Sequence, residues 1–146
     1  LNRILWEYGE ERLSHKIAAA ILRSRNKKTI DTCSALVDIV ENVYGGRGRL
    51  HPATKTFQAL RIEVNRELEQ LSLGLEAAQR LLKQGGRLCV ISYHSLEDRI
   101  VKRFIADSSK RGMLKIITKK PLTASPEELR FNPSSRSAKL RAAEKI

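Results

Sequence analysis

The stretch Arg87-Leu-Cys-Val-Ile-Ser-Tyr-His-Ser-Leu-Glu-Asp-Arg-Ile-Val-Lys-Arg103 constrains this chain more than any other. Gly85-Gly86 closes whatever precedes it. Leu88 to Ser92 is then a short, nearly unbroken apolar run, the pattern of a strand covered on both faces as in parallel sheets. After the polar corner Tyr93-His94-Ser95, apolar residues recur at Leu96, Ile100, Val101, Phe104 and Ile105, a helical spacing. Ser95 and Asp98 have the spacing of a capping box, in which each side chain satisfies a free amide at the helix start. The stretch therefore reads strand, tight turn, helix. In open α/β sheets ligands sit at the carboxyl end of such a strand, and here that end carries an aromatic ring, an imidazole and a hydroxyl. Tyr93 and His94 are pocket candidates on this ground; a packed turn beneath a pocket is the competing reading.

Upstream, three short apolar stripes predict three amphipathic helices: Leu1, Ile4, Leu5 and Tyr8, stopped by Gly9; Leu13, Ile17, Ala20 and Ile21; then Cys33, Leu36, Val37, Val40 and Tyr44. The second ends in Arg23-Ser-Arg-Asn-Lys-Lys28, where cations favour a helix C-terminus. That run reads equally as a solvated helix end or as an RNA contact. Residues 1–50 are expected to form a helical subdomain. A Gly/Arg connector follows, with Arg47, Arg49 and His51. From Thr54 a long helical pattern runs through Phe57, Leu60, Val64, Leu68, Leu71, Leu75, Ala78 and Leu82, with a break expected near Leu71–Gly74. Downstream, 113–118 reads as a strand, Ser125-Pro126 opens a short helix, and 138–143 reads as a strand with one polar face. Residues 51–146 thus form an α/β unit.

A chain of 146 residues can form a core, since a domain of about 150 residues buries roughly 70% of its unfolded surface. No apolar run is long enough to span a bilayer, so no membrane partner is expected. The net charge is +12 and unevenly spread: residues 86–146 hold fourteen basic against six acidic groups. Clustered positive charge makes nucleic acid the first partner to consider. Cys33 and Cys89 fall within apolar patterns and are expected to be buried in a reducing compartment. His15, His51 and His94 lack metal-ligand spacing, so no metal site is expected. Leu1 lies inside a helical pattern, and the chain is expected to be a piece of something longer.

Several motifs then carry a resemblance. His51-Pro-Ala-Thr-Lys-Thr-Phe-Gln-Ala-Leu-Arg61, Gly85-Gly-Arg87 with Val90-Ile-Ser-Tyr-His-Ser-Leu-Glu-Asp-Arg-Ile-Val-Lys102, and Asn132-Pro with Arg136-Ser and Leu140-Arg-Ala-Ala-Glu144 closely resemble the RsmH/MraW family. Tyr8-Gly-Glu-Glu-Arg12 and the Lys16-Ile-Ala run match as well. Members are S-adenosylmethionine-dependent methyltransferases acting on the exocyclic N4 of a cytosine in small-subunit ribosomal RNA. The resemblance implies the carboxyl-terminal part of a class I (Rossmann-like) methyltransferase sheet, its last strand antiparallel, plus part of an all-helical insertion. It implies 16S rRNA or the small ribosomal subunit as partner, and a bacterial cytoplasm or an organellar matrix or stroma as location.

Only the carboxyl-terminal half of the family is matched. The family's glycine-rich cofactor loop, the acidic residue that holds the ribose and the Asp-containing fourth strand have no counterpart, and Gly45-Gly-Arg-Gly48 does not follow a strand. No cofactor-binding residue is carried over. The complete protein is expected to be the enzyme. The isolated chain is expected to bind S-adenosylmethionine weakly or not at all, to be inactive, and to present an open sheet edge; a non-catalytic, basic RNA-binding module is the alternative. Ser134-Ser135 stands where the family usually has Arg-Ala. Tyr93 and His94 are the residues expected to receive the target base, with Lys55, Arg61, Arg99, Arg47 and Arg49 as candidate RNA contacts.

Overall fold

The computed structural model describes residues 1–46 and 51–146; Arg47 and Arg49 lie outside the described residues. The chain divides into two compact units, Leu1–Glu67 and Leu68–Ile146.

The first unit is all-helical: α1 (Asn2–Gly9), α2 (Ser14–Lys27), α3 (Cys33–Tyr44) and α4 (Thr54–Asn65). The three predicted stripes supply its core, with Leu5, Ile17, Ala18, Ile21 and Val40 buried. Thr32 caps α3 by accepting the Ala35 amide at 3.2 Å, and Gly45 ends it in the left-handed region at φ 70°. The division falls after Glu67 rather than after residue 50, because α4 closes the same core through Ala53, Ala59 and Phe57. The close approach of α1 and α4 depends on Gly9, where a Cβ would lie 2.8 Å from the Lys55 carbonyl oxygen and 3.3 Å from Ala59 Cβ. Gly9→Ala forces the helices apart. We expect a loss of about 1–2 kcal/mol, read as a lower denaturant midpoint at unchanged m-value.

The long helical pattern breaks at Arg66, not near Gly74. Arg66 adopts φ 53°, and α5 (Glu67–Leu81) continues straight through Gly74. A left-handed arginine costs roughly 1–2 kcal/mol. Glu67 offsets this by gathering the end of α4: Arg61 donates to its two carboxylate oxygens at 2.8 and 3.1 Å, and Asn65 donates at 3.1 Å. Apolar spacing alone carries no trace of this, since Leu68 and Leu71 stay in phase across the break.

The second unit continues with β1 (Arg87–Ser92), α6 (Ser95–Lys110), β2 (Leu114–Ile116), β3 (Leu122–Thr123), α7 (Pro126–Phe131), a 3-10 turn (Pro133–Ser137) and β4 (Lys139–Lys145). Ser125 caps α7 by accepting the Glu128 amide. The three predicted strands share one sheet. β4 lies at its centre, antiparallel to β1, β2 and β3. Leu88, Val101, Ile105, Leu114, Ala143 and Leu75 form the core beneath it.

Two expectations are corrected here. β1 is not covered on both faces, nor paired with a parallel neighbour among the described residues: Leu88 and Ser92 point inward, while Cys89 and Ile91 are exposed. Cys33 and Cys89 are free and exposed rather than buried. An apolar run reports that a residue is suited to burial, and the sheet's outward face lacks a covering layer within this unit.

Candidate functional site at the carboxyl end of β1

Tyr93 and His94 do sit where strand turns to helix, but they have different surroundings. Tyr93 is 56% exposed, whereas the His94 side chain retains only 11% of its surface. His94 is the N-cap of α6. Its Nδ1 accepts the Glu97 amide at 3.3 Å, and the Glu97 carboxylate reaches back to accept the amides of Tyr93 at 2.8 Å and His94 at 3.3 Å. The capping box expected at Ser95 and Asp98 is therefore formed one residue earlier, by His94 and Glu97. Histidine is outside the usual set of Ser, Thr, Asp and Asn at this position, so the sequence points one residue too far along. The i, i+3 pairing with a glutamate was the available signal.

This capping fixes the imidazole. Nδ1 acts as acceptor, so in the neutral ring the proton resides on Nε2. Nε2 lies 3.4 Å from Glu97 Oε1 but is not aligned for a hydrogen bond, and it is buried without another partner. The turn is thus held by the His94–Glu97 cap, while Tyr93 keeps more than half of its surface exposed.

Asp98, released from capping, pairs with β4. Arg141 donates from Nε at 2.7 Å and from Nη2 at 3.1 Å to its two oxygens, and Lys139 Nζ approaches to 3.8 Å. Both partners of the main pair are nearly enclosed, with side chains 13% and 8% exposed. The Arg141 hydrogen bonds hold the Asp98 carboxyl below its usual range against the opposing effect of burial. This pair locks the first turn of α6 onto the sheet, and so locates Tyr93. The antiparallel register that sets Val90 opposite Arg141 and Ser92 opposite Lys139 brings both cations to one carboxylate.

The proposed RNA contacts fare unequally. Lys55 donates to the Glu10 carbonyl at 3.0 Å, and Arg61 is held by Glu67 in two bonds. Arg99 is exposed on α6. His51 works inside its own unit, its Nδ1 accepting the Ala53 amide and its Nε2 standing 3.3 Å from Glu41. Among the described residues no group of His, Cys, Asp and Glu is placed to hold a metal ion, and no helix is long and apolar enough to cross a membrane.

A sheet whose last strand enters antiparallel at its centre, with α5 and α6 helping to build its core and a strand-turn-helix edge bearing Tyr93, is the carboxyl-terminal part of a Rossmann-like methyltransferase domain. The family model described as the MraW methylase family matches residues 1–146, and the chain belongs to that family. Proteins named ribosomal RNA small subunit methyltransferase H are similar to it throughout. The one from Persephonella marina is 52% identical over 149 residues, covering all of this chain and 51% of the relative. The one from Deinococcus deserti is 56% identical over 147 residues, covering all of this chain and 48% of the relative. A third, from Coprothermobacter proteolyticus, is 52% identical over 145 residues, covering 99% and 48%. The chain spans about half the length of the curated relatives it matches.

The family implies S-adenosylmethionine. A cofactor carboxylate held by a strand-to-helix turn needs free backbone amides, and at the turn after β1 the Glu97 carboxylate already occupies the Tyr93 and His94 amides. No glycine-rich loop follows a strand in the described residues.

Proposed function

We propose that the protein containing this chain methylates small-subunit ribosomal RNA, transferring a methyl group from S-adenosylmethionine to the N4 of a cytosine. The observation that carries the ribosomal RNA part of this reading is identity above 50% along the whole chain to relatives named ribosomal RNA small subunit methyltransferase H; the cytosine N4 rests on the motif resemblance alone. In this reading the cofactor is seated by residues outside this chain and supplies an electrophilic methyl group. The chain's own contribution is positioning. The target base leaves its stack to reach a catalytic pocket, and an aromatic face receives it there. Tyr93 offers that face, and the capping bonds between His94 and Glu97 hold the turn that carries it. Lys55, Arg61, Arg99, Arg47 and Arg49 are proposed as weaker contacts to the RNA backbone. The setting is the compartment where small subunits assemble, bacterial cytoplasm or organellar matrix or stroma.

The test is methylation of small-subunit RNA by the full-length protein, with the modified nucleoside resolved by mass spectrometry. N4-methylated cytidine is the expected product; a methyl group on DNA only, or none, overturns the reading. Base–aromatic stacking is worth about 1–3 kcal/mol. Tyr93→Ala is therefore expected to lower the methylation rate on the order of 5- to 150-fold, with Tyr93→Phe near the unaltered rate. Equal rates for all three would remove Tyr93 from the pocket. The 146-residue chain alone is expected to show no tight S-adenosylmethionine binding by calorimetry.

A further inference from the structure

The helical unit carries a feature the site at β1 does not use. Helix α2 contains no acidic residue, and its last turns hold Arg23, Arg25 and Lys27, followed by Lys28. A helix C-terminus amounts to roughly half a negative charge, which one cation answers. Four in six residues exceed that need. Among the described residues no carboxylate pairs with any of the four, in contrast to Arg61, which is tied to Glu67, and Lys55, which is tied to a carbonyl.

Two of these cations border a cleft. Between α2 and α3 lies a groove of about 290 Å³, its rim formed by Arg23, Lys27, Ser24 and Asn42. Ala20, Ile39 and Val43 supply its apolar floor. The acidic groups of α3 are Asp38 and Glu41; neither lines the groove, and Glu41 faces His51 at 3.3 Å. The groove therefore combines two unpaired cations, a hydroxyl and an amide that can bind oxygen, and an apolar strip. Its volume is near the lower end of small-molecule sites, roughly 300–1,000 Å³, and suits one unit of a strand passing across it.

We infer that the α2–α3 groove seats the sugar-phosphate backbone of single-stranded RNA, with Arg23 and Lys27 on the phosphate, Ser24 and Asn42 on sugar or phosphate oxygens, and the apolar floor against the ribose. This deepens the reading of the protein as an RNA methyltransferase and rests on it. Arg23 and Lys27 lie one helical turn apart at i and i+4, on one face, so they address one stretch of backbone together. The helix dipole opposes an anion here, but by only about half a charge against the two full charges of Arg23 and Lys27. Such contacts are independent of base sequence and make binding steeply dependent on salt.

The experiment compares three forms of the full-length protein: unaltered, Arg23→Gln/Lys27→Gln, and Lys119→Gln/Lys120→Gln, which removes the same charge from exposed lysines elsewhere. Affinity for a single-stranded oligonucleotide from small-subunit rRNA is measured by fluorescence anisotropy across salt concentrations. Loss of two phosphate contacts lowers the slope of log K against log salt by about 1.4 for a single strand. The groove variant is expected to show that change with a roughly tenfold weaker affinity near physiological salt, at unchanged circular dichroism. The control pair should change affinity less than twofold. Equal losses in both variants would reduce the effect to general charge and overturn the groove, as would no loss in either. If the unaltered protein neither binds nor methylates RNA, the reading of function fails with it; intact methylation and an unchanged salt slope in the groove variant would sink this inference alone.

Discussion

Replacing Asp98 with alanine is expected to lower the stability of the second unit by about 3–5 kcal/mol, the usual cost of removing one partner from an enclosed ion pair. Arg141, 6% exposed, would keep its charge and lose both carboxylate bonds, with Lys139 left facing it from the same strand. At roughly 4–8 °C per kcal/mol for a unit of this size, thermal unfolding followed by circular dichroism should register it readily. Asp98→Asn keeps the shape and should fall between the two. The same pair makes stability depend on acid. Asp98's folded pKa is depressed below the ordinary value of about 3.9. Its contribution is therefore complete above that value and is lost as pH falls through the folded one. In the Asp98→Asn protein this part of the acid dependence should vanish. If Asp98→Ala melts like the unaltered protein, the pair does not fix α6 to the sheet.

In the helical unit the largest effect is expected from Tyr44→Phe. Glu11 is 1% exposed and accepts the Leu13 amide at 2.9 Å and the Tyr44 hydroxyl, which reaches both carboxylate oxygens at 2.7 Å. Removing one hydroxyl leaves a buried anion with a single donor, a loss of about 2–3 kcal/mol on the scale for bonds to charged groups. Although Tyr44 as a whole keeps 37% of its surface, its hydroxyl end is tucked against Glu11. Burial first, and then the Glu11 bond and charge, push the phenol up to about 12. With the folded pKa raised, the stabilisation is full below the ordinary value of about 10 and is lost as pH rises toward 12. Urea midpoints measured from pH 8 upward should fall through that window in the unaltered protein, and the part due to Tyr44 should be missing in Tyr44→Phe. A Tyr44→Phe protein with an unchanged midpoint at neutral pH would show that Glu11 is satisfied without it.

These two pairs show where sequence reading stopped. Asp98 and Arg141 are separated by 43 residues, as are Lys139 and Asp98 by 41, and Glu11 and Tyr44 by 33. No local spacing links them, since a charge pattern along a chain says only that a residue prefers water or a partner. At His94 the local rule pointed one residue too far along, because the preferred cap residue, Ser95, stood next to the one that does the work. At Arg66 it missed a left-handed residue, beside which Glu67 gathers Arg61 and Asn65.

What the sequence determined by itself is periodic or local in origin. The three stripes from Leu1 to Tyr44 made α1 to α3, because a helix buries one face at a spacing near 3.6. Ser125-Pro126-Glu-Glu128 made a capped α7, and the apolar run after Gly86 made β1. The motifs from His51 to Glu144 were enough to place the chain in its family. The tertiary structure alone decided how those elements share their groups. It joined α4 to the first unit, left the outer face of β1 open with Cys89 and Ile91 exposed, drew His94 into the cap of α6 while exposing Tyr93, and brought Arg23 and Lys27 to the edge of a groove with Asn42. Each of these depends on which side chains from distant segments reach the same few ångströms, and burial, pairing and charge take their value from that proximity.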